Sequence, residues 1–236
     1  MPMIVYRQSD SDFRTSVRTI KRAIIPVGSL EQHGPHLPVS TDSIIVERIA
    51  QELSNQANCF VLPAVSYGIS FEHMPMFNIS VRSSTLTALI CDACISLGQL
   101  GIRQIVILNG HHGNSGALQH IAQELYQRIP KGVTTHVINY WQMMEAEFDH
   151  AGQVETSLVL AIAPELVRME KAEPSAKKLA KSKAAYRSIT CSPGSFPEIT
   201  GNGVWGDPRK ATANYGHKLI EEIVNNLKVT IEELFS

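Results

Sequence analysis

Cysteine is scarce, aromatic residues are few, and neither sign of charge dominates. Four cysteines in 236 residues exclude a small scaffold stapled by disulfides. Aromatics make up 6% of a chain that is 44% hydrophobic, a globular balance rather than a fibrous or disordered one. The 21 basic and 22 acidic side chains leave a formal net charge of -1. They are spread along the chain, which excludes the basic footprint of a nucleic-acid binder and leaves a small molecule as the expected partner. No apolar run reaches the roughly 20 residues needed to cross a bilayer, so no membrane association is expected. The stretch Met1 to Ser16 mixes Arg7, Asp10, Asp12 and Arg14 with few apolar residues, unlike a secretory signal. The expectation is a cytoplasmic protein whose Cys59, Cys91, Cys94 and Cys191 stay reduced.

What is present reads as strands alternating with helices. Arg22 to Val27 is a buried strand, Asp42 to Ala57 a helix, and Cys59 to Leu62 a second strand stopped by Pro63. Residues 64–82 read as a long irregular loop over the active face. Ser83 to Leu100 is a helix on which Leu86, Leu89, Ile90, Ala93, Cys94 and Leu97 recur at helical spacing. Cys94 therefore lies on an apolar face, and the Cys91–Cys94 pair reads as core rather than as a redox or zinc motif. Gln104 to Leu108 has the continuous apolar character of a central parallel strand. A helix is expected over Asn114 to Arg128, a strand over Val133 to Asn139 and a helix over Gln153 to Ala163. Lys171, Lys177, Lys178, Lys181 and Lys183 mark a solvated segment. Asp207-Pro208 reads as a helix cap with proline in the first turn, and the closing helix runs to about Leu234. The alternation predicts βαβ units and an α/β fold with a mostly parallel sheet, helices on both faces and one domain over residues 1–236.

Ligand-type side chains cluster where two of these strands end. Glu31-Gln32-His33-Gly34-Pro35-His36, with Asp42 downstream, follows the first strand; Asn109-Gly110-His111-His112-Gly113-Asn114 follows the central one. Sites in such sheets form beyond the C-terminal strand ends, so both clusters belong to one edge. Glu31 and His33 are two apart and point to one side of an extended segment. Each residue also has a plain structural role: Asp42 as a helix cap, His36 as a turn residue, the Asn-Gly pairs as turn formers. Together they make a metal site the better account.

The stretch Pro26-Val27-Gly28-Ser29-Leu30-Glu31-Gln32-His33-Gly34-Pro35-His36-Leu37-Pro38, then Thr41-Asp42, resembles the first motif of the creatininase family. Asn109 to Asn114 resembles the second and His150-Ala151-Gly152-Gln153-Val154-Glu155-Thr156-Ser157 the third. Gly203-Val204-Trp205-Gly206-Asp207-Pro208, followed by Ala211-Thr212-Ala213, resembles the C-terminal signature. The resemblance implies a three-layer α/β/α sandwich, a two-metal hydrolase and a homohexamer. Carried over by motif, Glu31, His33, Asp42, His111 and Glu155 become metal ligands, with Asp42 bridging. His150 becomes the catalytic histidine and Glu155 joins it in the catalytic set. His36 and His112 become substrate or supporting contacts. Creatininase proper has a Glu two residues after the histidine matching His111. Gly113 stands there in this chain, and the resemblance to members with glycine at that position implies that Glu155 supplies the missing carboxylate.

Three carboxylates, two divalent cations and one bridging hydroxide balance to neutral, a composition suited to activating water for attack on an amide carbonyl. Zinc, manganese and iron(II) all suit imidazole and carboxylate donors, with zinc or manganese preferred. The reaction implied is hydrolysis of a C–N amide bond in a small, cyclic substrate, of the creatinine-to-creatine type. Removal of a formyl group from a formamidopyrimidine nucleotide and trimming of a peptide are the enzymatic alternatives. A metal-dependent oligomeric binding protein is the non-enzymatic one.

Overall fold

The apolar runs of the sequence become the centre of one parallel sheet. A computed structural model describes residues 3–177 and 193–235. Lys178, Lys181, Lys183 and Cys191, about which the sequence made predictions, lie outside the described residues. The strands are β1 (Met3–Ile4), β2 (Arg22–Val27), β3 (Phe60–Val61), β4 (Gln104–Asn109) and β5 (Thr134–Asn139). They lie in the order β1-β3-β2-β4-β5 and every pairing is parallel. The register runs from Arg22↔Gln104 to Val27↔Asn109 between β2 and β4, and on to Asn109↔Asn139 in β5. Three strands thus end level, and the segments leaving β2 and β4 emerge side by side.

Alternation along the strands divides the core in two. Ile24, Val106, Leu108 and Ile138 face one side. There they pack with Ile45, Ile49 and Leu53 of α2 (Thr41–Ala57), Leu158 of α6 (Gln153–Ile162), and Ile223 and Leu227 of the C-terminal helix (Ala213–Leu234). Ala23, Ile25, Ile105 and Ile107 face the other side, against Phe13 of α1 (Asp10–Ser16) and Leu86, Ile90 and Cys94 of α3 (Ser83–Gln99). The result is a three-layer α/β/α arrangement. Cys91 and Cys94 are fully buried in the second core, as their spacing predicts.

Two elements differ from the sequence reading. The helix expected over residues 114–128 is split into α4 (Ser115–Leu118) and α5 (Ile121–Leu125) by His120, at φ -98 and ψ 5. Ala117, Leu118, Ile121 and Leu125 still face the core, but Ser115, Gly116 and His120 are weak helix formers and the hydrogen-bond ladder lapses between them. The C-terminal helix is capped by Thr212, whose hydroxyl accepts from the Tyr215 amide at 3.2 Å. Asp207 instead caps the single turn Pro208–Lys210. No helix among the described residues is long and apolar enough to cross a membrane.

Gly216 lets the C-terminal helix touch α6: a Cβ there would collide with the Ser157 carbonyl oxygen. Gly116→Ala in α4 would meet nothing within 4 Å. Gly216→Ala is expected to lose about 1–3 kcal/mol through overpacking, whereas Gly116→Ala is expected to be neutral or stabilising by up to about 1 kcal/mol. Urea denaturation of both variants checks the contrast.

Candidate metal centre

Five of the sequence-predicted residues meet in the interior just beyond the ends of β2 and β4. Glu31, His33 and Glu155 are wholly buried, Asp42 is 2% exposed and His111 5%. Glu31 leaves β2 in an extended segment held by backbone bonds from the Glu31 amide to Val39 and from the Gln32 amide to Phe77. Asp42 sits in the first turn of α2. The helix cap position is Ser40 rather than Asp42, so the carboxylate is free to turn inward. Glu155 lies in the first turn of α6, where both oxygens of Asp149 cap the helix by accepting from the Val154 and Glu155 amides at 2.8 and 3.2 Å.

The contacts form two groups that share Asp42. Its Oδ1 lies 3.2 Å from His33 Nε2, which is also 3.7 Å from Glu155 Oε2. Its Oδ2 lies 3.1 Å from His111 Nδ1, and His111 Nε2 is 3.1 Å from Glu31 Oε2. Donor atoms of Glu31, Asp42 and His111 all fall within 4.8 Å of one another, as do those of His33, Asp42 and Glu155. A third grouping brings His150 to Glu31 and His33.

The donor chemistry fits divalent cations. A backbone carbonyl only accepts, so His33 Nδ1 donates to the Glu31 carbonyl at 3.1 Å and His111 Nε2 to the Ile69 carbonyl at 2.8 Å. Each ring is thereby fixed with its other nitrogen turned toward Asp42, the arrangement that orients metal-ligating histidines. Both Glu31 oxygens, Asp42 Oδ2 and Glu155 Oε1 are buried without a well-aligned hydrogen-bond donor among the described residues, and imidazole rings are the nearest basic groups to Glu31 and Asp42. Three carboxylates without a lysine or arginine partner among the described residues need a cation of another kind. In the polypeptide alone that cation is the proton. Burial opposes charge on His33, yet Asp42, Glu155 and Glu31 raise its pKa to about 10. Burial likewise opposes charge on His111, and Glu31 and Asp42 raise it to about 10. Burial also works against the Asp42 carboxylate, but His33 and His111 hold its pKa far below the usual range.

The remaining predicted residues have other surroundings. His150 is 7% exposed. Its Nδ1 is 3.8 Å from Glu31 Oε1 and its ring centroid lies 4.3 Å from that of His33, with the planes tilted by 31°. Burial, then the neighbouring His33, depress its pKa, which favours the neutral imidazole. His36 is buried and makes a different contact, with Nε2 2.9 Å from Thr156 Oγ1. Burial, then His33, lower its pKa to about 4. His112 is exposed beside the aromatic rings of Trp141 and Phe148, at 5.9 and 6.2 Å.

Gly113 has a steric explanation. A Cβ there would collide with the Ile69 carbonyl, the group that holds His111, and would stand 3.0 Å from Glu72 Oε1. The loop over residues 64–82 fills the space, leaving none for a side chain at 113. The same loop delivers His73, 3% exposed, whose Nε2 is 3.2 Å from Glu31 Oε1. Sequence reasoning missed His73 because a lone histidine in an irregular segment has no periodic context. The adjacent Glu72-His73 pair was the only available signal.

The creatininase family model, described as creatinine amidohydrolase, matches residues 7–231. The mycofactocin precursor peptide peptidase of Mycolicibacterium smegmatis (strain ATCC 700084 / mc(2)155) is 32% identical over 218 residues, covering 87% of this chain and 82% of that protein. The creatinine amidohydrolase of Pseudomonas putida is 26% identical over 174 residues, covering 63% and 66%. Among solved structures, a manganese creatininase superposes with a TM-score of 0.82 at 22% identity, covering 100% of this chain and 99% of the other. A zinc–zinc form of a creatininase mutant gives the same values.

Asn114 ties the loops around the cluster: its Oδ1 accepts from the Ile69 amide and its Nδ2 donates to the Gly28 carbonyl, both at 3.0 Å. Asn114→Ala would leave two buried backbone groups unpaired, at about 1–3 kcal/mol each. A loss of roughly 2–4 kcal/mol in chemical denaturation is expected; a change below about 0.5 kcal/mol would show that the clamp does not matter.

Proposed function

The chain belongs to the creatininase family, and on that premise we propose that it is an amidohydrolase holding two divalent cations on either side of Asp42. The observation that carries this reading is the pair of donor groups sharing that carboxylate. Glu31 and His111 serve one ion, His33 and Glu155 the other. Zinc or manganese suits the set, with iron(II) as the third candidate; creatininase structures with zinc and with manganese support the choice. Held by these residues, divalent cations would supply Lewis acidity suited to activating water and polarising an amide carbonyl.

The polypeptide does the rest. Asp42 fixes the separation of the two donor groups. Asp149 and the Ala151 amide, which donates to Glu155 Oε2 at 2.6 Å, hold Glu155 in place. His150, whose neutral form is favoured by burial, takes a proton from the attacking water and passes it to the leaving nitrogen. His36 and His112 are the supporting and substrate-facing histidines of this proposal. The chain acts as a homohexamer, as the family resemblance suggests.

The bond cleaved is a C–N amide in a small substrate. The creatinine-to-creatine reaction is the first reading. Peptide trimming is the second, supported by the higher identity to the mycofactocin precursor peptide peptidase. Metal-loaded protein offered creatinine, a formamidopyrimidine nucleotide and short peptides will release creatine, formate or a trimmed peptide. Cleavage of none of them would contradict an amidohydrolase.

His33→Ala and Asp42→Asn are each expected to abolish that activity while circular dichroism and gel filtration stay as in the wild type. Full activity in either variant would refute the assigned ligands. Removing metal with a chelator is expected to abolish activity, and zinc or manganese to restore it. Activity that survives complete metal removal would exclude the metal-dependent mechanism.

A further inference from the structure

We propose that Gln32, between two of the ligand residues, is a positioning residue that dictates which nitrogen carries the proton in both His73 and His150. This inference rests on the amidohydrolase reading only for its catalytic consequence; the proton assignment itself follows from counting hydrogens.

The Gly34 amide donates to Gln32 Oε1 at 3.0 Å. That end of the carboxamide must be the oxygen, so the other end is the NH2 group with two protons to give. Three partners surround it: His73 Nδ1 at 2.8 Å, the Gly203 carbonyl at 3.2 Å and His150 Nε2 at 3.2 Å. The Gly203 carbonyl can only accept. His73 Nδ1 is the shortest contact and has no other hydrogen-bond partner among the described residues, whereas His150 Nε2 also faces the Gln32 backbone carbonyl, so the second proton goes to His73 Nδ1. Both protons of the amide are then spent. His150 Nε2 receives none, and it instead donates to the Gln32 backbone carbonyl at 3.1 Å.

Two tautomers follow. His73 bears its proton on Nε2, directed at Glu31 Oε1 3.2 Å away. His150 bears its proton on Nε2 and presents a bare Nδ1 toward the cluster, 3.8 Å from Glu31 Oε1. Nδ1 is therefore the atom through which His150 takes up and releases a proton during amide cleavage. The fold makes room for the hub: Gly203 sits at φ +77, and a Cβ there would collide with the Gln32 carboxamide. The segment Gly203–Trp205 is fastened to His150 by reciprocal backbone bonds at 2.7 and 3.1 Å. Gln32 thus joins the first motif to the C-terminal motif and the His73 loop through its side chain, and to the third motif through its backbone carbonyl.

Histidine-selective 15N NMR of the zinc-loaded protein near neutral pH tests the assignment, with His73→Gln and His150→Gln spectra identifying the signals. Both rings are expected to show a protonated Nε2 and a bare Nδ1. Gln32→Glu replaces the donating end with an acceptor, so His73 is expected to move its proton to Nδ1 while His150 keeps its own on Nε2. In that variant kcat should fall about 10- to 100-fold with little change in KM. A protonated Nδ1 on either ring of the wild type overturns the proposal even if the variant does not fold, and so does an unmoved His73 proton in folded Gln32→Glu. The same spectra of metal-free protein separate the two claims. Expected tautomers in a protein that cleaves no amide would sink the amidohydrolase reading alone. Amide cleavage with a different tautomer would sink only the role of Gln32.

Discussion

Three carboxylates forced together away from solvent are the constraint on which the rest of this structure depends. Glu31, Asp42 and Glu155 come from a loop and two helices, and each is almost wholly buried. Mutual repulsion and lost hydration make such a meeting unfavourable unless cations share it. Imidazoles are the only basic groups at hand among the described residues. Those of His33 and His111 are fixed by backbone carbonyls with a nitrogen toward Asp42. The architecture around the cluster keeps this unfavourable meeting in register. Level strand ends bring two loops side by side, Asn114 clamps them, and Asp149 anchors the first turn of α6.

The fold was legible because its signals are periodic and local. Residues 22–27 and 104–109 carry the unbroken apolar character of strands covered on both faces, and the structure covers both. The sheet-edge argument brought residues 31–42 and 109–114 together without any long-range information. Failures came where tertiary contacts outweigh local pattern. Residues 114–128 keep their apolar stripe but break at His120. The terminal helix begins past Asp207 because Pro208–Lys210 closes as a turn of its own.

The candidate centre was legible in its ligand-type residues and illegible in their support. His73 reaches Glu31 from a loop with no repeat. Gln32 carries no ligand-type chemistry in the sequence, yet its carboxamide touches three segments far apart in the chain. Gly113 read as a lost carboxylate. The structure shows a positive reason for glycine, since the Ile69 carbonyl needs the space to hold His111. Such roles depend on which backbone oxygen or amide arrives from elsewhere, and no local window of residues contains that.

We propose that Asp42 would lie between two cations. Anomalous diffraction from crystals loaded with zinc or manganese tests it most directly. Two peaks are expected, one beside each Asp42 oxygen, with Glu31 and His111 at the first and His33 and Glu155 at the second. A single peak, or peaks that leave Asp42 without a metal contact, would contradict it.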